Sequence, residues 1–207
     1  MKKFIIYICG IAAAVAGAIL FQQYGKLPQP EHALYYQQAR VVKPFELTDH
    51  QGQAFTKEQL KDKWSLVFFG YTSCPDVCPT TLQNLGFVFD DLKAIADNSQ
   101  VLLVSVDPHR DTQDKLSQYI AYFNPEFIAL RAGHEVLFPF SRNLGLMYAI
   151  SDTEEDGYLV DHSASIVLIN PDGNISSIFK PEQVVEKVPS IDSDKLLSDY
   201  QKIVALY

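Results

Sequence analysis

Cys74 and Cys78 lie four residues apart in Gly70-Tyr71-Thr72-Ser73-Cys74-Pro75-Asp76-Val77-Cys78-Pro79. Paired thiols can hold a soft metal ion or exchange with disulfides, and both kinds of chemistry run through the thiolate. The flanking sequence favours that form. Trp64 to Phe69 is an apolar run with the length and aromatic content of a buried strand. After the cysteines, Leu82, Leu85, Val88, Phe89, Leu92 and Ile95 recur at helical spacing and predict one helix from about Pro79 to Asp97. Pro79 suits the first turn of that helix, because it lacks an N–H that would go unpaired there. The pair therefore sits where a strand hands over to a helix, and the positive end of the helix dipole lowers the pKa of a nearby thiol. Two thiolates side by side repel unless a soft cation lies between them or they oxidise. A local Cys74–Cys78 disulfide with no further role is the bland alternative, and so short a loop restrains the unfolded chain only weakly.

The elements that must position this pair run from about Val41 to Tyr207, enough for one domain with a core of its own. Val42 to Thr56 reads as a hairpin turning at Asp49 to Gly52, followed by a short helix at Lys57 to Leu60. Val101 to Val106 is a second buried strand, and Thr112 can cap a helix reaching about Phe123. Phe127 to Leu130 reads as a strand, His134 to Leu144 as a helix and Met147 to Ile150 as a short strand before the acidic turn Asp152 to Gly157. Ser165 to Ile169 and Ile175 to Phe179 flank Asn170-Pro171-Asp172-Gly173, a strong turn signal, and Ser193 to Leu206 closes the chain as an amphipathic helix. Strands alternating with helices, then a hairpin and a helix, describe an α/β sheet with an antiparallel edge, an order compatible with a thioredoxin-like fold.

A thioredoxin-type redox pair has two residues between its cysteines; here there are three. In a sheet of that kind, the loop entering the Ser165 strand approaches the start of the cysteine-bearing helix. His162 would then face Cys74 and Cys78, although a lone loop histidine is ordinarily just solvated or capping. Two sulfurs and one imidazole suit copper, whereas a closed structural zinc site usually takes a fourth ligand. His32, His50 and His134 are weaker candidates, and His109, near a strand end, is a minor one.

At the other end, Lys2 and Lys3 precede Phe4 to Phe21, a run without a charge and long enough to span a bilayer. This predicts a retained anchor over residues 1–21, a cytoplasmic N-terminus and an exported remainder. A cleaved signal peptide, cut near Ala14-Val15-Ala16, is the competing reading. Cys9 falls inside the run and reads as a small apolar residue. Residues 22–40, with Pro28 and Pro30, read as a tether, which if flexible would span roughly 25 Å. Beyond residue 21 there are 15 basic and 25 acidic side chains, a balance that argues against nucleic acid and against adhesion to anionic lipid. The exported part holds only Cys74 and Cys78, so it is no disulfide scaffold.

Three stretches together carry a family resemblance: Gly70 to Pro79, then Asp107-Pro108 with Arg110-Asp111-Thr112, then Asp161-His162-Ser163-Ala164. With the anchor and tether, they resemble the signatures of the Sco/SenC copper chaperones over about Val41 to Phe179. The resemblance implies a thioredoxin-like domain facing the periplasm or the intermembrane space. The N-terminus lacks the Arg/Ser-rich amphipathic character of a transit peptide, so the periplasm of a bacterial envelope, with a single pass in the inner membrane, is the simpler address. The resemblance also implies copper held by Cys74, Cys78 and His162, and delivery to the copper-bearing subunit of cytochrome c oxidase, at its binuclear copper site. Ile166-Val167-Leu168 departs from the family, which often has a tyrosine before its leucine, but it leaves the ligand positions untouched. A metallochaperone is not an enzyme in the ordinary sense. The alternative is a thiol-disulfide oxidoreductase that reduces the oxidase's copper-ligand cysteines. Against it, Ser163-Ala164 stands where such reductases place a proline. A peroxidase is weaker still, since Thr72 precedes Cys74 by two residues and no distant resolving cysteine exists. With Met147 the only methionine after the anchor, methionine-rich Cu(I) trafficking is also poorly supported.

Overall fold

The computed structural model describes residues 7, 10–18, 27–150, 158–182 and 188–207. Strand β1 (Leu34–Val41) is followed by the hairpin β2 (Glu46–Asp49) and β3 (Ala54–Thr56), a 3-10 turn at Lys57–Leu60, and β4 (Trp64–Gly70). Helices α1 (Val77–Phe87) and α2 (Phe89–Ile95) lead to β5 (Ser99–Ser105), then α3 (Gln113–Phe123), β6 (Ile128–Arg131) and α4 (His134–Leu144). The short strands β7 (Tyr148–Ile150) and β8 (Val160–His162) precede β9 (Ile166–Ile169), β10 (Asn174–Phe179) and α5 (Ser193–Leu206).

Eight strands form one sheet in the order β1-β10-β9-β4-β5-β6-β2-β3, while β7 and β8 pair with each other. Strands β4, β5 and β6 are parallel neighbours, joined by the helical crossovers that parallel pairing requires. Every residue of β4 and β5 is buried, as expected of strands covered on both faces. The hairpin β9–β10 adds antiparallel to β4, and β2 adds antiparallel to β6. The hairpin after Ser165 is therefore inside the sheet, and β1 and β3 are its edges. Helix α5 seals the lower end of the parallel core: Tyr200 donates to or accepts from Ser99 at 2.7 Å and meets the edge of Trp64.

Two expectations need correcting. The single helix from Pro79 to Asp97 is two helices: Val88 (φ −102°, ψ 6°) leaves the α region between Phe87 and Phe89. Gly86, a poor helix former, lies just before the break, and Phe89 is re-aimed onto Phe127 with ring centroids 5.1 Å apart. The apolar spacing runs through the break because Leu85, Phe89 and Leu92 are all buried against the core. The tether over 22–40 is also too long. Residues 34–41 are β1, paired along β10 from Leu34↔Ile178 to Val41↔Asn174 with an irregularity between Tyr35 and Arg40. An edge strand, mostly exposed, lacks the alternation that would have marked it. Of the expected anchor, residues 10–18 are described as helical; among the described residues no helix is long and apolar enough to cross a membrane. Cys9 and the acidic turn Asp152 to Gly157 lie outside the described residues.

What holds the chain ahead of β1 is a buried carboxylate on α5. Asp199 accepts the backbone N–H groups of Glu31, His32 and Ala33 at 2.6–3.0 Å, with the Lys202 ammonium 3.6 Å away. Burial raises the Asp199 carboxyl, but the three N–H groups and Lys202 outweigh it, and its pKa is lowered. A depressed folded pKa adds stability that is present at neutral pH and is lost as the pH falls through the folded value. Asp199→Ala should therefore cost about 3 kcal/mol at neutral pH and less in acid, because charge-assisted hydrogen bonds are lost. Denaturant unfolding of the two proteins across pH checks this, and equal stability at neutral pH would contradict it.

Candidate metal centre

Cys74 and Cys78 stand on the connection that leaves the C-terminal end of β4. Tyr71 turns the chain: its carbonyl accepts the Cys74 N–H at 3.2 Å. Cys74 stays in the loop, half-buried, while Cys78 lies in the first turn of α1 and is fully buried. The Cys78 N–H points at the Cys74 sulfur, 3.4 Å away. Gly70 makes room for Cys78; a Cβ there would lie 2.9 Å from its Sγ and 3.0 Å from the Phe68 ring.

His162 arrives from β8, the last residue before the loop into β9, and not from that loop itself as expected. Its Nε2 lies 3.3 Å from the Cys78 Sγ and 4.0 Å from the Cys74 Sγ. The three donor atoms lie within 4.8 Å of one another, and among the described residues this is the one cluster able to hold a metal. Ligands about 2.0–2.3 Å from one ion would be separated by distances of this size. Phe68 and Tyr71 meet the imidazole edge-on at 6.0 and 5.8 Å. The centre opens into a cleft of about 470 Å³ whose walls include Pro75, Val77, Leu159, Pro181 and Pro189. The other histidines are elsewhere. His50 accepts from the Ala129 N–H, His134 contacts the Tyr148 hydroxyl, His32 and His109 are exposed.

The two thiols share one proton unequally. Cys74 is lowered to about 4, first by the hydrogen bond from the Cys78 thiol, against burial, and with help from His162 and the Cys78 and Asp76 N–H groups. Cys78 is pushed up, because it keeps its proton for Cys74, is buried and faces a negative neighbour. At about pH 6, iodoacetamide should therefore alkylate Cys74 well ahead of Cys78, since the thiolate is the nucleophile and Cys74 is the more exposed. Peptide mass spectrometry of partly labelled protein checks this, and equal labelling would contradict it.

A second set of side chains, quoted above only as a signature, fixes the loops. The buried Asp111 carboxylate accepts the Thr72 N–H at 3.2 Å, the Thr72 hydroxyl at 2.6 Å and the Ser105 hydroxyl at 2.6 Å, tying the cysteine loop to the end of β5. Asp107, equally buried, pairs with Arg110 and accepts the Tyr158 hydroxyl at 2.6 Å, and the Arg110 guanidinium lies 3.6 Å from the centre of the Tyr158 ring. Asp107 thus ties the histidine-bearing strand to the same sheet end. Burial raises its carboxyl, but Tyr158 and Arg110 outweigh it and leave the pKa lowered. The spacing of Asp107 and Asp111 gave no hint of Thr72 and Tyr158, which lie 39 and 51 residues away in the chain.

A parallel three-strand core flanked by antiparallel strands, with a cysteine pair where a central strand meets its helix, defines a thioredoxin-like α/β protein. Its solved neighbours include Arabidopsis thaliana ScoI with copper bound, at TM-score 0.71 and 30% identity, covering 81% of this chain and 100% of that one. Bradyrhizobium japonicum ScoI with copper bound matches at TM-score 0.64 and 32% identity, over 78% of this chain and 98% of that one. The mitochondrial SCO2 homolog of Mus musculus is 36% identical over 151 residues, 70% of this chain and 59% of that protein. The SCO1/SenC family model matches residues 34–191, and the chain belongs to that family.

Proposed function

We propose that the protein is a copper metallochaperone that holds copper between Cys74, Cys78 and His162 and hands it to the binuclear copper site of cytochrome c oxidase. The observation that carries this reading is the convergence of two sulfurs and one imidazole nitrogen within 4.8 Å at the mouth of an open cleft. Thiolates suit Cu(I) in low coordination, and the imidazole extends the set to Cu(II). Two relatives solved with copper bound share this fold at 30% identity or more, which supports the choice of metal. An open cleft fits a protein that must give its metal up. The acidic balance of the chain suits a cation or a basic protein partner.

The same reading places the domain outside the inner membrane of a bacterial cell, held there by the run Phe4 to Phe21. With β1 and the Asp199 contacts taking residues 31–41, the tether of this reading shortens to 22–30, which if flexible would span roughly 16 Å. That keeps the centre near the membrane surface and raises its effective concentration towards a membrane-bound client. The test is transfer: the reduced, copper-loaded domain is mixed with the oxidase domain that carries the binuclear site, prepared without metal, and metal is assayed on each after separation. Copper moving to the oxidase domain supports delivery; copper staying with the chaperone overturns it. Thiol-disulfide exchange is the second reading, favoured by the acidic, half-exposed Cys74. It is recognised when the reduced, copper-free domain is mixed with an oxidised client and reduces the client's disulfide without any metal present.

A further inference from the structure

We infer that Tyr71 is a positioning residue that seats His162 against the two sulfurs; the inference rests on the copper reading above. Tyr71 belongs to the cysteine motif, yet nothing in the spacing of cysteines explains a large, buried phenol there. In the fold it touches both halves of the centre. Its backbone carbonyl accepts the Cys74 N–H at 3.2 Å, and its hydroxyl accepts the Val160 N–H at 3.2 Å. Its ring meets the His162 imidazole at 88° with centroids 5.8 Å apart.

The Val160 N–H is free for this because of the ladder's register. In β7–β8, Tyr148 opposes His162 and Ile150 opposes Val160. Ser163 donates to the Met147 carbonyl at 3.1 Å, so the bonded pairs of this ladder are Met147/Ser163 and Ala149/Asp161. Val160 is out of phase with them, and its N–H points away from β7. Val160 is buried, so that donor needs a partner. The Tyr71 hydroxyl is that partner, two residues before His162 on the same face of the strand. Arg110, 5.6 Å above the Tyr71 ring, backs it from the Asp107 side.

The test is a double-mutant cycle on copper affinity, using Tyr71→Phe, which keeps the ring and removes only the hydroxyl. If Tyr71 acts through His162, Tyr71→Phe weakens copper binding roughly 10-fold in the otherwise unchanged protein, the size typical of lost outer-shell support. In a His162→Ala background it then changes nothing further. In the metal-free protein, the Val160 amide should lose its protection from hydrogen exchange while amides of β4 and β5 keep theirs. The same loss in both backgrounds, or none in either, overturns the inference. If His162→Ala alone leaves copper affinity unchanged, the copper reading at His162 is what fails, and the inference falls with it.

Discussion

Cys74→Ser in the reduced domain should weaken copper retention by at least roughly 100-fold, more than the 10- to 100-fold typical of losing a supporting contact. The serine keeps the size of the side chain but offers a hard, protonated oxygen in place of a soft thiolate, and leaves Cu(I) a single thiolate donor. Cys78→Ser should do the same, with an added cost in stability, because its hydroxyl would be fully buried beside Gly70 where the sulfur now sits. His162→Ala should cost less for Cu(I) than either cysteine, since both thiolates survive. Competition against a chelator of known affinity gives the fold-changes, and thermal unfolding separates them from misfolding. A correctly folded Cys74→Ser/Cys78→Ser double variant that still bound copper tightly and one-to-one would rule out this centre.

Oxidation should act as strongly as mutation. Both thiols are free and their sulfurs lie within 4.8 Å, so a Cys74–Cys78 disulfide needs the loop to draw them to about 2.0 Å. Forming it passes two electrons to the oxidant, releases the one proton the pair holds and consumes both soft donors at once. The diamide-oxidised domain should therefore take up little copper, and reduction should restore uptake. Conversely, copper-loaded protein should resist alkylation at both cysteines. On the proposed reading, an exported dithiol would depend on a reducing partner to stay competent, which would make the redox poise of its compartment a control on delivery. Equal copper uptake by oxidised and reduced protein would contradict the gate.

The three residues that converge were legible because their signals are local and chemical. Cysteine spacing, a strand before it, a helix after it and a histidine entering a later strand are all read within a few residues. The parallel core was legible for a related reason: β4 and β5 are built around the short apolar runs Leu66–Phe69 and Val101–Val104, which suit strands buried on both faces. What escaped depends on distant partners. Strand β1 exists because β10 offers it a ladder, and Asp199 fixes the residues ahead of it from the far end of the chain. Strand β8 is three residues long, below the length at which alternation can be seen, yet it aims His162. The motif residues Asp107, Arg110 and Asp111 stood out as a signature, but their work is done on Tyr158, Thr72 and Ser105. No pattern in one sequence announces those contacts.

The central claim, that two sulfurs and one imidazole take the metal, is tested most directly by copper X-ray absorption on the reduced domain loaded with one equivalent of Cu(I). The predicted result is a first shell of two sulfur scatterers and one nitrogen scatterer, with the nitrogen lost in His162→Ala and one sulfur lost in Cys74→Ser. A shell of nitrogen and oxygen alone, unchanged by these substitutions, would contradict it.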